Sequence, residues 1–114
     1  MSVVEGAIAM EIRFYHKDIE KFINGLESQT IAKVLRTFDL LERFGSGIQM
    51  PHSKKVSRGL FELRVRGVQE VRFLYVFRDD YTIIVLHGFL KKSSRISRGG
   101  LALAMRRRRM LDGI

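Results

Sequence analysis

The sequence predicts an α+β fold in which an N-terminal helical hairpin is followed by a twisted antiparallel β-sheet and a C-terminal helix. Apolar residues recur with a helical period of about 3.6 in the first half of the chain and with the two-residue period of a strand after Pro51. Turn residues divide the second half into three short consecutive strands, which pair antiparallel when the turns between them are tight. These two periods, in this order, predict the fold class.

The first half contains a short strand, expected around residues 10–15, and two helices. The first helix ends near Gly25 and has its apolar residues at the i, i+3, i+4, i+7 spacing: Ile19, Phe22, Ile23 and Leu26. Ser28 is the expected N-cap of the second helix and Gly45 its end. The predicted buried stripe of this helix comprises Ile31, Val34, Leu35, Phe38 and Leu41. Two such helices predict a hairpin.

The second half contains the predicted strands. Residues 61–66 alternate between apolar and charged side chains, which is typical of a half-buried strand. Residues 71–78 are rich in aromatic and β-branched residues, and Asp79-Asp80 reverses the chain into residues 81–89. Residues 83–86 are apolar throughout, which predicts a central strand. Residues 101–111 predict a helix whose four consecutive arginines circle it, so that they cannot all face one ligand.

Length and composition describe one globular domain, expected to span residues 1–114. With 114 residues, of which 46% are hydrophobic and 29% charged, the chain can bury one core. The absence of cysteine excludes disulfides, zinc-thiolate sites and cysteine nucleophiles. No apolar run approaches the roughly 18 residues of a membrane span, and the first residues lack the basic region of a signal peptide. We therefore expect a soluble cytoplasmic protein that needs no cofactor and binds no membrane.

The charge is distributed unevenly. Residues 1–51 hold six Lys or Arg against seven Asp or Glu, a net charge of −1, and residues 52–114 hold fifteen against five, a net charge of +10. Such an excess predicts salt-sensitive binding to nucleic acid or to an acidic partner. Fourteen of the 21 basic residues are Arg, which contacts phosphate through two parallel hydrogen bonds better than Lys does. A merely solubilising surface is the alternative.

Four motifs follow one another in the second half: PHSKKV at residues 51–56, GLFELR at 59–64, VRFLY at 71–75 and LHGFLKK at 86–92. Together with the arginines at 106–109, this series resembles the phage-derived branch of the RelE/HigB toxin family over about residues 19–109. The resemblance implies a helical hairpin packed on a curved antiparallel sheet. It also implies the toxin of a type II toxin–antitoxin system, which cleaves mRNA in the ribosome and is silenced by a cognate antitoxin, expected to be of the helix-turn-helix type.

The sequence departs from this family at three points. Ser97 stands where members usually have Pro, and Gly100 where they have an acidic residue. No tyrosine follows Tyr81, although related toxins use a tyrosine near the C-terminus. The fold therefore transfers from the family more directly than the catalytic mechanism does.

Arg64 and Arg72 match the basic positions of the family's sheet and are the first candidates for catalysis. Cleavage of RNA by its own 2′-hydroxyl passes through a phosphorane whose extra negative charge is stabilised by preorganised cations. If both side chains point outward from neighbouring strands, two guanidinium groups converge on one phosphate. The alternative is a structural salt bridge from Arg72 to Glu62 or Glu70.

The other predicted site residues surround these two. Lys91 and Lys92, at the end of the central strand, complete the predicted catalytic set together with His52, the candidate general acid or base. Lys54, Lys55 and Arg58 are expected in a loop before the sheet. The predicted RNA-binding residues are Lys54, Lys55, Arg58, Arg66 and Arg95. No metal site is predicted.

Four aromatic or titratable side chains are expected to have mainly structural roles and not catalytic ones. The alternation of residues 71–77 places Tyr75 in the core. His87 is expected to be a core histidine and His16 a surface residue at the start of a helix. Phe89 is either a core residue or a platform on which a base stacks.

Three functions remain open at this point. The first is a ribosome-dependent mRNA endonuclease, favoured by Arg64, Arg72 and the Lys91-Lys92 pair, with the ribosome, mRNA and an antitoxin as partners. The second is a ParE-like toxin that inhibits DNA gyrase, and the third is a non-catalytic, phage-derived module that binds nucleic acid. The missing C-terminal tyrosine favours these two.

Overall fold

The computed structural model of the protein describes residues 9–49, 51–92 and 98–112. In chain order the elements are β1 (Glu11–Phe14), α1 (Lys17–Asn24), α2 (Ser28–Phe44), a 3-10 turn (Gly45–Gly47), β2 (Ser53–Ser57), β3 (Leu60–Val65), β4 (Val71–Phe77), β5 (Thr82–Leu90) and α3 (Arg98–Asp112). The predicted α+β class is confirmed, with two helices before the main sheet and one after it. The helix pair is not strictly N-terminal, because β1 precedes it.

The five strands form one sheet in the order β1-β5-β4-β3-β2. Strands β3, β4 and β5 are consecutive antiparallel neighbours, as predicted, and β5 lies between β1 and β4, which explains its continuous apolar run. The prediction of a wholly antiparallel sheet is wrong, because β1 pairs parallel to β5, with Ile12 opposite Ile83. The direction of β1 depends on how α1 and α2 return the chain to the far end of the sheet, and alternation within a strand contains no information about that path.

The segment that holds Lys54 and Lys55 is a strand, and the prediction of a loop there is wrong. This strand, β2, pairs antiparallel with β3 and places Lys54 opposite Glu62. Edge strands of this kind are often polar and charged, so they lack the apolar alternation that reveals a strand in the sequence. Arg58 lies in the turn from β2 to β3, where Gly59 has a φ of 74°.

Helix α1 begins and ends as predicted. The Nδ1 atom of His16 accepts a hydrogen bond from the backbone N–H of Asp18 at 3.0 Å, so His16 caps the helix, and Gly25 follows its last residue. The prediction that Ser28 caps α2 is wrong: Ser28 is the first helical residue, and the N-cap Glu27 makes no side-chain capping bond.

The predicted buried stripe of α2 is wrong at Leu35, which is 55% exposed. Val34, Phe38 and Leu41 are buried and belong to the core between the helices and the sheet. Because α2 packs on β1 and β3 through the side that bears these three residues, Leu35 is turned towards the edge of the contact.

The sheet has an apolar core on each face. Helices α1 and α2 cover one face, whose buried residues include Leu63, Val71, Phe73, Tyr75, Ile83 and Val85. Helix α3 covers part of the other, with Ala104 packed against Leu60, Leu74, Val76, Ile84 and Leu86. No helix in the described ranges is long and apolar enough to cross a membrane.

Candidate functional site

The face of the sheet that carries α3 changes from apolar to charged towards the end where β3 finishes and β4 begins. The register places Arg64 of β3 opposite Arg72 of β4, and Arg72 opposite Phe89 of β5. Since side chains alternate along a strand, Arg64 and Arg72 share the face of Glu62 and Leu74. The charged residues that meet here are defined as the arginine cluster: Glu62, Arg64, Glu70 and Arg72.

Arg72 is the centre of this cluster and is buried, with only 2% of its side chain exposed. Its Nη1 donates to the carbonyl oxygen of Val71 at 3.2 Å, its Nε lies 3.7 Å from Oε1 of Glu62, and its Nη2 lies 3.5 Å from Oε2 of Glu70. Burial lowers the pKa of Arg72, while the carboxylates of Glu62 and Glu70 act in the opposite direction. Arginine is effectively always protonated in proteins, so a cation is held inside the sheet face.

Arg64 lies at the rim of the cluster. Its side chain is 13% exposed, and its Nε donates to Oε1 of Glu62 at 3.1 Å. Glu62 is itself buried and lies between two guanidinium groups. In the described part of the chain, Oε2 of Glu62 and Nε of Arg72 are buried without a hydrogen-bond partner. The two arginines are adjacent, as the sequence predicts, but Arg72 does not point outward, and the alternative salt bridges to Glu62 and Glu70 are formed.

Three of the predicted lysines lie near the arginine cluster. Lys54 is exposed on β2 directly opposite Glu62. The backbone N–H of Lys91 donates to the carbonyl oxygen of Glu70 at 2.8 Å, which brings the end of β5 beside the cluster, and Lys92 follows as an exposed residue. The sheet therefore gathers these lysines around the cluster.

The remaining predicted RNA-binding residues occupy different places. Lys55 is exposed and opposite Phe61, so it lies on the face covered by α1 and α2. Arg58 is at the far end of β3 from Arg64, about 20 Å away at the usual rise of a strand. Arg66 is exposed just beyond the end of β3, and Arg95 lies outside the described residues.

His52 lies next to Arg64 through the backbone. Its carbonyl oxygen accepts a hydrogen bond from the N–H of Arg64 at 2.8 Å, and its side chain is exposed. The two residues line a groove of about 520 Å³ between α2 and the end of β3. His52, Arg64 and Arg66 are therefore all among the residues that line one accessible hollow.

His87 and Phe89 form a pair on the same sheet face as the cluster. Their rings are stacked, with centroids 5.6 Å apart and an angle of 23° between their planes, and both side chains are half-buried. Burial lowers the pKa of His87, nearby Arg107 lowers it further, and Asp18 raises it. Tyr75, in contrast, is in the core, as predicted: its hydroxyl oxygen lies 2.6 Å from Oγ of Ser53, and burial raises its pKa.

One contact was missed by the reasoning from sequence. Arg107 of α3 donates to both carboxylate oxygens of Asp18, at 3.2 and 2.5 Å, and to the carbonyl oxygen of Leu86 at 2.8 Å. It also lies over the ring of Tyr15 and lowers the pKa of Asp18. The four arginines do circle the helix. Arg107 is one helical turn from the buried Ala104, and that spacing is the signal that could have identified the inward one.

A protein-family model matches most of the chain. The family model described as "Phage derived protein Gp49-like (DUF891)" matches residues 21–109. The matched part includes α2, the whole arginine cluster and the groove beside it. No protein with a curated description matches the chain.

Proposed function

Because the chain belongs to the Gp49-like family of phage-derived proteins, which is toxin-like, we propose that it is the toxin of a type II toxin–antitoxin system. In this proposal it binds the ribosome in the cytoplasm, cleaves mRNA there, and is neutralised by a cognate antitoxin of the helix-turn-helix type.

The single observation that carries the proposal is the junction of the arginine cluster with the groove. Arg64, fixed by Glu62, is adjacent to His52 and Arg66 in an accessible hollow. A preorganised cation stabilises a transition state more effectively than a mobile one, because no reorganisation is needed when charge develops. An imidazole is the side-chain type that gains and loses protons near neutrality.

The proposed reaction is attack of the RNA 2′-hydroxyl on the adjacent phosphorus. The P–O bond to the 5′ oxygen of the next nucleotide breaks, and the products are a 2′,3′-cyclic phosphate and a 5′-hydroxyl. One proton leaves the 2′-hydroxyl and one joins the 5′ oxygen, and His52 is the candidate for one of these transfers. Arg64 contacts the non-bridging oxygens of the phosphate in this scheme.

Arg72 has a different part in the same scheme. Its charge lies behind Arg64 in a buried position, where electrostatic interactions are stronger than in water. The lysines near the cluster, Lys54, Lys91 and Lys92, hold flanking phosphates and position the RNA without taking part in the chemistry.

A non-catalytic nucleic-acid-binding module is the second candidate, and one observation favours it. Glu62 and Glu70 already pair with Arg72, and Glu62 with Arg64, so the carboxylates offset part of the charge that a phosphorane needs.

The test is expression of the chain without its partner, followed by mapping of RNA 5′ ends in growing cells. We expect growth arrest and new cleavage sites inside translated reading frames, and we expect co-expression of the cognate antitoxin to suppress both. The control is Arg64→Ala, shown by thermal melting to be folded, which should restore growth. Arrest with intact mRNA and broken DNA indicates gyrase inhibition, and unimpaired growth indicates the non-catalytic module.

A further inference from the structure

We propose that the groove between α2 and the end of β3 is a second RNA-binding surface, which holds the phosphate backbone of the strand that enters the cleavage site. This inference rests on the proposed function and extends it from the sheet face to α2.

The lining of the groove is strongly basic. Five cationic residues line it against the single acidic residue Asp39: Lys33, Arg36, Arg43, Arg64 and Arg66. The charge counts of the two halves of the sequence conceal this site, since residues 1–51 carry a net charge of −1. The fold separates the basic residues of α2 from most of the acidic ones and places them opposite Arg66.

The cations of α2 form a row. Lys33, Arg36 and Arg43 lie at the i, i+3, i+10 spacing, which places them on one side of the helix. Arg36 and Arg43 are about 10.5 Å apart along the helix axis. A row of separated cations is suited to contact with phosphates spaced along a nucleic-acid strand, and arginine contacts a phosphate through two hydrogen bonds.

Most of these cations are available to a ligand. Within residues 9–49, 51–92 and 98–112, Arg36, Arg43 and Arg66 are exposed and make no salt bridge. They differ in this respect from Arg64 and Arg72, which are both paired.

Lys33 has a structural part in the groove. Its Nζ donates to the carbonyl oxygen of Arg66 at 2.8 Å, which joins α2 to the end of β3. A Cβ atom at Gly67 would lie 3.0 Å from the same Nζ, so the chain passes close to Lys33 here. This contact therefore holds α2 against the end of β3 beside the groove.

The groove leads directly to the proposed site of cleavage. Arg64 and His52 are among its lining residues, and the backbone hydrogen bond between them connects the strand to the segment before β2. A strand held on Arg36, Arg43 and Arg66 therefore continues past the two residues assigned to the chemistry.

RNA fits the groove better than a protein segment does. Docked protein segments depend on a few large apolar anchors at the centre of the interface. The large exposed apolar residues of the described chain include Leu35, Phe44 and Val68, and none of them lines this groove. The charged side chains of the groove are five cations against Asp39, and this excess of positive charge favours a polyanion.

The test compares two double variants with equal loss of charge. Arg36→Ala with Arg43→Ala removes two groove cations, and Lys17→Ala with Lys21→Ala removes two exposed cations of α1. Binding of a short single-stranded 2′-O-methyl RNA, which lacks the attacking hydroxyl, is measured by fluorescence anisotropy across a series of salt concentrations. Because all four side chains are exposed, both variants should melt like the wild type.

In a plot of log K for RNA binding against log salt concentration, we expect the slope of the groove variant to be less steep than that of the wild type by about 1.4, the value for two phosphate contacts on a single strand. The affinity of the groove variant should be lower by at least about tenfold. The α1 variant should keep the wild-type slope. Equal slopes in the wild type and the groove variant overturn the inference. If the groove variant loses binding to oligo-glutamate but keeps RNA binding, the inference is overturned, and the groove is instead a docking site for an acidic protein.

Cleavage on saturating programmed ribosomes separates this inference from the proposed function. The groove variant should cleave within about threefold of the wild-type rate once it is bound, since its cations position the strand and do not touch the reacting atoms. A wild-type protein that binds RNA through the groove but cleaves nothing contradicts the proposed function alone. A wild-type protein that cleaves, with a groove variant of unchanged slope, contradicts the groove alone.

Discussion

The two faces of the sheet are built from the same strands and differ in what they bury. Strand β4 buries Val71, Phe73 and Tyr75 against α1 and α2, and it buries Arg72 on the face that carries α3. The first set gains stability by leaving water, at roughly 1.5 to 3 kcal/mol for a large apolar side chain. The buried ion cluster must recover the cost of desolvating its charges, and such clusters often contribute no net stability.

The difference suggests why the charged end exists. Apolar residues of similar volume at positions 62 and 72 would be expected to fold as well or better, so stability does not explain the cluster. A preorganised cation beside an accessible groove does have a use in phosphate chemistry. We therefore expect the apolar parts of both faces to determine stability and the charged end of the α3 face to determine activity, and the predictions below test that separation.

Arg72→Ala should have the largest effect. Loss of the buried charge behind Arg64 should lower the cleavage rate by up to roughly 100-fold, less than loss of an oxyanion-hole donor can cost, because Arg72 acts on the phosphorane without contacting it. It should also destabilise the fold, by about 3 to 5 kcal/mol, because Glu62 remains buried with one of its two arginines gone. The measurement is single-turnover cleavage on saturating programmed ribosomes, at a temperature where melting shows the variant to be folded.

Two further variants make this prediction sharper. Phe73→Ala, at the adjacent position on the other face, should cost about 3 to 5 kcal/mol of stability but leave the cleavage rate of the folded fraction unchanged. Arg72→Lys keeps the charge and the fold but loses the planar fork, so its rate should fall between those of Arg72→Ala and the wild type. A folded Arg72→Ala protein that cleaves at the wild-type rate would show that this face is not the active one.

Lowering the pH should reduce the free energy of unfolding through His87, which lies on the sheet face that carries α3. Burial and Arg107 lower the folded-state pKa of His87 below its usual value of 6.5, although Asp18 partly opposes them. Below pH 6.5 the unfolded chain therefore binds a proton that the folded chain does not, and stability falls with pH until the folded-state pKa is passed. Urea unfolding between pH 8 and pH 5 should show this loss, and His87→Gln should reduce it. An unchanged pH dependence in the variant would assign the loss to other groups.

The sequence predicts the strands of this protein better than it predicts the burial of their side chains or the packing around them. Local alternation is sufficient for β3, β4 and β5, and it places Arg64 beside Arg72 because antiparallel neighbours joined by a short turn have a nearly fixed register. It does not show how deeply a side chain is buried. The burial of Arg72 depends on carboxylates from β3 and from the β3–β4 turn, and the parallel pairing of β1 depends on the path of two helices.

The groove could not be predicted from the sequence either, because it depends on how distant segments of the chain pack together. Lys33, Arg36 and Arg43 look like the solvated side of an amphipathic helix, and only the packing of α2 beside the end of β3 places them opposite Arg66. His52 and Arg64 could be chosen from the sequence as separate candidates. Their backbone hydrogen bond requires β2 to be an edge strand, which its polar sequence does not reveal.

The smallest effect is expected at Leu35, where periodicity and structure disagree. Its helical spacing from Ile31 and Phe38 predicts burial, whereas the structure leaves it 55% exposed, at the edge of a hollow that Ile12 and Phe14 also line. Leu35→Gln should therefore change the free energy of unfolding by no more than about 0.5 kcal/mol, as exposed substitutions usually do. The matched variant Val34→Gln places an amide in the core without a partner and should cost at least about 2 kcal/mol. Chemical denaturation of both proteins measures the contrast, and equal losses would mean that α2 packs on the sheet through a wider stripe than the one that contains Val34, Phe38 and Leu41.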